Sequence, residues 1–195
     1  ANNFYWVGGN GNWNESSHWS FSSGGNGGAG IPSSNDNVYF DSNSFQSTNG
    51  HNLITVSGNQ SIRNFNVIGS PYFKLKSYNR IDFEIKGSWN VQSNFRNLII
   101  GTFTFTGNSS HTIYSKSFFN ADVIFNHTGS YSLLTDINLQ DKSLQFVSGN
   151  FTTSGKIISA NKITIEENTL CFVDFSNSTI ETNLAVEYSN AIQQH

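Results

Sequence analysis

Methionine is absent from this chain, proline occurs twice and cysteine once in 195 residues. A lone Cys171 has no partner within the chain, which excludes an intrachain disulfide framework. Charged residues make up only 12% of the sequence, about half of ordinary usage. With ten basic against thirteen acidic side chains the net charge is −3, and Lys and Arg never form a run. Neither nucleic acid nor an anionic membrane surface therefore has an electrostatic reason to bind. No apolar stretch approaches the ~18 residues that would read as a membrane-spanning helix, so membrane insertion is not expected. Ala and Leu are sparse, and helix start and stop signals are nearly missing.

What fills the space is Asn, Ser, Thr and Gly, together with 17 Phe. The bulk of those rings lets burial offset the entropy of ordering, so the polar composition does not imply disorder. An Asn-rich, Cys-poor, Met-free chain that begins at Ala1 fits an exported bacterial protein from which a signal peptide has been cut.

Short alternating runs recur throughout: "LITV", "FKLK", "IDFEI", "FTFT", "HTIYS", "DVIF", "LQFV", "KIIS", "KITIE". Each is bounded by Gly, Asn or Ser, as strands meeting turns are. "IDFEIKG" at Ile81, "FTFTG" at Phe103, "VIFN" at Val123, "LQFVSG" at Leu144 and "ITIEE" at Ile163 begin roughly 20 residues apart, a solenoid-type period. Their inward positions read Ile81, Phe103, Val123, Leu144, Ile163 and Phe83, Phe105, Phe125, Phe146, Ile165, all apolar. A second family starts at Trp89, His111, Tyr131, Asn150 and Thr169, and a third at Asn97, Phe118, Ile137 and Lys156. Three short strands per winding predict a right-handed parallel β-helix with a stacked Phe ladder inside. A β-sandwich, with turns every 8–12 residues, is the alternative.

The end of a solenoid exposes its core unless something closes it. Residues 1–50 depart from the period and hold a Gly-rich run, "SSGGNGGAG", and the cluster "FYWVGGNGNWNESSHWSF". The expectation is a cap over residues 1–50, with Trp6, Trp13 and Trp19 covering the core, and repeats over 51–195 that continue into a larger protein.

The blocks "YWVGGNGNWNESSHWS" and "IPSSNDNVYFDSNSF" carry a W-V-G-G-x-G-x-W…W-S pattern from Trp6 to Ser20 and a P-x-x-x-D-x-V-x-F pattern from Pro32 to Phe40. This pairing, with the repeats that follow, resembles the N-terminal region of large Bacteroidota cell-surface proteins exported by the type 9 secretion system, the gliding-motility adhesins among them. The resemblance implies a surface location, a non-enzymatic adhesive or docking role, and partners among secretion or outer-membrane surface components, surface glycans or a substratum. No cofactor is implied.

Candidate chemistry is thin. "GGNG" and "GGNGGAG" lack the Lys-Ser/Thr of a phosphate loop and read as turn glycine. His18, His51, His111, His127 and His195 show no zinc-ligand spacing. Asp36 and Asp41, near Asn35 and Asn37, offer hard oxygens for Ca²⁺, against the plainer reading of Asx turns. Asp82 and Glu84 share the outward face of one strand, roughly 7 Å apart, a spacing open to a glycosidase pair but equally to a solvated face. Trp6, Trp13, Trp19 and Trp89 are the candidates for stacking on a glycan or meeting a partner of the cap, if they are not core. Cys171 reads as a small hydrophobe. The expected function is a structural and docking module of a surface adhesin; the alternative is a carbohydrate-active β-helix, either a glycan-binding module or a polysaccharide lyase or hydrolase.

Overall fold

The computed structural model describes residues 1–47, 49–167 and 169–189; His195 lies outside them. The chain is all-β and winds into a parallel β-solenoid of about 6 turns with coils of ~22 residues. A sandwich is excluded, because almost every pairing is parallel and joins one coil to the next.

One face stacks Gln60–Ile62, Ile81–Ile85 and Gly101–Phe105, then parts of Asp122–Leu133, Ser143–Thr152, Ile157–Glu166 and Thr179–Ser189. Alternation along each strand decides which side chains turn inward. In Ile81–Ile85 the odd positions are buried, while Asp82 and Glu84 face out.

The inward columns carry the aromatic ladder, with a register different from the expected one at its first step. Phe83 pairs with Phe103 and Ile85 with Phe105, so the first coil is displaced by two residues. The columns then run Phe103–Val123–Leu144–Ile163 and Phe105–Phe125–Phe146–Ile165 as the spacing predicts. A two-residue shift is invisible to an inward/outward pattern because it returns every side chain to the same face. Ring centroids are 5.2 Å apart for Phe83–Phe103, 4.8 Å for Phe105–Phe125 and 5.6 Å for Phe125–Phe146. Such pairs add about 0.5–1.5 kcal/mol each beyond their buried area.

A second face stacks Asn3–Trp6, Asn37–Phe40, Phe65–Val67, Trp89–Val91 and Ser110–Ser115. Its register also moves: Trp89 lies beside Ile113 rather than His111, and Tyr131 beside Phe151 rather than Asn150. The shallow third face stacks Gly11–Asn12, Asn52–Val56, Phe73–Ser77 and Arg96–Leu98. There it stops. Phe118–Asn120, expected as its next strand, is not one: Phe118 turns out, Phe119 is buried, and Asn120 takes a left-handed φ of 47°. Pairing resumes between Ile137–Asn138 and Ile158–Ser159.

Residues 1–50, expected as a cap outside the period, also contribute strands to the stack. Asn3–Trp6 and Asn37–Phe40 lie in register beneath Phe65–Val67, and Gly11–Asn12 beneath Asn52–Val56. The segment thus holds the first winding of the solenoid and the start of the second, its period masked by a long Gly-rich loop. Only the two-residue strand Trp19–Ser20, antiparallel to Asn3–Trp6, forms a terminal edge.

Candidate functional site

The four tryptophans are core. Trp6, Trp13 and Trp19 have no exposed surface and Trp89 is 1% exposed. Trp13 and Trp19 meet edge to face at 4.8 Å, Trp6 and Trp19 at 5.1 Å, and Trp13 reaches Phe83 at 5.3 Å. The Trp6 indole donates to the Gly9 carbonyl and that of Trp19 to the Trp13 carbonyl, both at 2.7 Å; that of Trp89 donates to Ser115 Oγ. A buried indole has no free face, so these four take the core reading of the two that the sequence offered and are not placed to stack on a sugar. The density of rings in a Gly-rich stretch fits both readings, and only burial separates them.

Asp82 and Glu84 do share the outward face of their strand. Asp82 is exposed, whereas the Glu84 carboxylate accepts from Ser61 Oγ and from Thr106 Oγ1 at 2.8 Å, with Lys86 Nζ 3.9 Å away. Burial works to raise its pKa, but the two hydroxyls and the ammonium outweigh it and hold the carboxyl below its ordinary value. A proton donor to a glycosidic oxygen needs the opposite shift. Glu84 borders a cleft of about 600 Å³ with Arg63, Lys86, Thr106, Asn108 and His111.

Asp36 accepts from the backbone N–H of Asn2 and from the N–H and Oγ of Ser33; Asp41 accepts from the N–H of Asn43. Each carboxylate closes its own turn or anchors the chain start. Among the described residues no group of three or more His, Cys, Asp or Glu side chains is placed to hold a metal ion. Cys171 is half-buried against the core, and burial followed by the charge of Glu166 raises its thiol pKa.

Two histidines sit at the corner between the first and second faces. His127 is 3% exposed, and neither ring nitrogen meets a partner in hydrogen-bonding geometry. It packs edge-on to Tyr131 at 4.7 Å and beneath Gly149, where a Cβ would come within 2.2 Å of the imidazole. Burial drives its pKa down to about 4. Tyr131 donates to the Gly87 carbonyl at 3.0 Å and accepts from the Gly107 N–H at 3.3 Å, bonding to two lower corners. His111, above Gly107, is lowered by burial first and by the charge of Arg63 second.

Sequence reasoning missed the most built concavity. Where the third face breaks, a cleft of about 610 Å³ opens, bordered by Tyr72, Asn94, Arg96, Lys116, Phe118 and Gln140 among others. The adjacent pair Phe118-Phe119 was the available signal, since two neighbouring rings cannot both face inward on a strand. Asparagine side chains replace the missing ladder: Asn97 Nδ2 donates to the Phe119 carbonyl, and Asn120 Nδ2 to the Asn97 carbonyl at 2.8 Å.

Compared with family models, with curated proteins and with solved structures, the chain matches none.

Proposed function

We propose that this chain is a non-enzymatic structural and docking module of a large secreted adhesin on a bacterial surface, exported by the type 9 system. The reading is carried by the unequal ends of the solenoid. At the first coil the interior is sealed by indoles. At the last described coil the inward columns stay open: Val186, beside buried Ile163, is 41% exposed, and Tyr188, beside Ile165, is 64% exposed. A stack sealed at its first coil, with an uncovered apolar column at its last described coil, suits a rigid stalk that meets a partner. Backbone ladders along the axis supply stiffness without a cofactor, and an Asn/Ser/Thr exterior suits attachment by many weak polar contacts.

The carbohydrate-cleaving alternative has less support. Glu84 is committed to Ser61, Thr106 and Lys86, and it is the only carboxylate bordering its cleft among the described residues.

Two measurements test the proposal. Antibody to this chain is expected to label intact cells of the producing bacterium and to lose that labelling when type 9 export is disabled. Labelling only after lysis overturns the surface reading. Incubation with a polysaccharide panel is expected to release neither reducing ends nor unsaturated products; turnover that Asp82→Asn and Glu84→Gln abolish would establish the enzyme instead.

A further inference from the structure

The geometry points to a binding site for an acidic oligosaccharide in the cleft at the break of the third face. Three observations converge there.

The first is charge. Arg96 and Lys116 are exposed, make no ion pair among the described residues, and border the cleft with no carboxylate beside them. In a chain of net charge −3 this is a local excess of positive charge. Lys116 also borders the neighbouring cleft, where the two carboxylates are engaged: Asp136 accepts the Ile157 N–H at 2.8 Å and Glu181 accepts from Ser159 Oγ at 2.6 Å. A guanidinium offers the paired donors that match a carboxylate or sulfate, and an ammonium beside it adds a second charge.

The second is an aromatic surface. Phe118 is 55% and Tyr72 39% exposed, and both border this concavity. Other exposed rings are engaged or lie elsewhere: Tyr78 is covered by the Lys76 ammonium at 4.3 Å, and Phe21 packs on Phe4 at 5.1 Å. Ring faces beside a polar cleft suit the C–H-rich face of a pyranose. The amides of Asn94 and Gln140 supply donors and acceptors for hydroxyls.

The third is shape. Tyr72, Asn94, Lys116 and Gln140 come from successive coils, so the cleft runs along the axis for about 14 Å at one strand spacing per coil. That length fits a short run of sugars rather than a single anion. An extended peptide would need the free edge of Arg96–Leu98, but Asn97 and Asn120 already bridge the Asn97 and Phe119 segments through side-chain amides.

The inference does not depend on cell-surface location or on the adhesin reading. Its test is calorimetric titration of the full chain with trigalacturonate and a sulfated trisaccharide, with maltotriose as the neutral counterpart. Binding of an acidic ligand that weakens with added salt is expected. Phe118→Ala and the pair Arg96→Gln, Lys116→Gln should each weaken it at least about tenfold. Lys156→Gln, away from the cleft, should leave affinity unchanged. Arg96, Lys116 and Phe118 are exposed and Lys156 is half-buried, so thermal unfolding of each variant should match the parent and separate lost binding from lost folding. Equal affinity for maltotriose, absence of binding to both acidic ligands, or binding indifferent to the cleft variants overturns the proposal.

Discussion

The first and the last described windings of this solenoid are built from the same kind of strand and treat their cores in opposite ways. At the first, Phe4 is 4% exposed and three indoles interlock behind it. At the last described, Val186 beside Ile163 is 41% exposed and Tyr188 beside Ile165 is 64% exposed, although their strand continues the same inward columns. The contrast shows that strand pairing and core closure are separate problems. Backbone hydrogen bonds propagate a coil whatever its side chains are, but an inward-facing ring is buried only when another coil or a folded-back segment covers it. Here the fold-back is Trp19–Ser20, which adds an antiparallel edge and delivers one more indole.

Breaking the sealed end should have the largest effect. Trp19→Ala removes a fully buried indole touching Phe4, Trp6, Trp13 and Phe40, and should cost about 3–5 kcal/mol in denaturant unfolding. A loss below ~1 kcal/mol would mean that the indole cluster is not what closes the stack.

Acid probes the middle of the stack, between the two ends. The buried His127 titrates at about 4 in the folded chain against roughly 6.5 for an ordinary imidazole. Between those values the unfolded chain binds a proton that the folded chain does not. Its contribution is therefore complete above about pH 6.5 and is lost as pH falls toward 4, by about 3 kcal/mol in all. Unfolding midpoints at pH 7 and 4.5 measure this, and His127→Leu should flatten the dependence. An unchanged slope in that variant would assign the acid sensitivity to other groups.

The smallest effect on stability belongs to the open end. Tyr188→Ser should shift unfolding by no more than ~0.5 kcal/mol, since its ring is not covered. Self-association, followed by light scattering against concentration, should decrease in the same variant. A large destabilisation would show that the last coil is closed in solution.

Much of this was legible in the sequence. Alternation in "IDFEI" and "FTFT" identified strands and their buried positions, and the return of apolar residues near every twentieth position identified a solenoid. The loops obscured the rest. Because the Gly-rich segment lengthens the first winding, Asn3–Trp6 and Asn37–Phe40 looked irregular although they pair in register with the coils above. The same blindness affected the candidate site. Trp13 and Phe118 each stand beside a polar residue, yet one is sealed and the other lines a cleft.

What the amino-acid sequence determined by itself was therefore local: strand rather than helix, inward rather than outward, turn after turn. These follow from side-chain alternation and from Gly and Asn between runs, which a few neighbouring residues settle. Only the tertiary structure decided which residue of one coil lies over which residue of the next, where the third face breaks, and which rings are sealed. Those outcomes depend on loop lengths and on contacts between residues some twenty positions apart, where shifts of two residues preserve every local preference and only packing tells them apart.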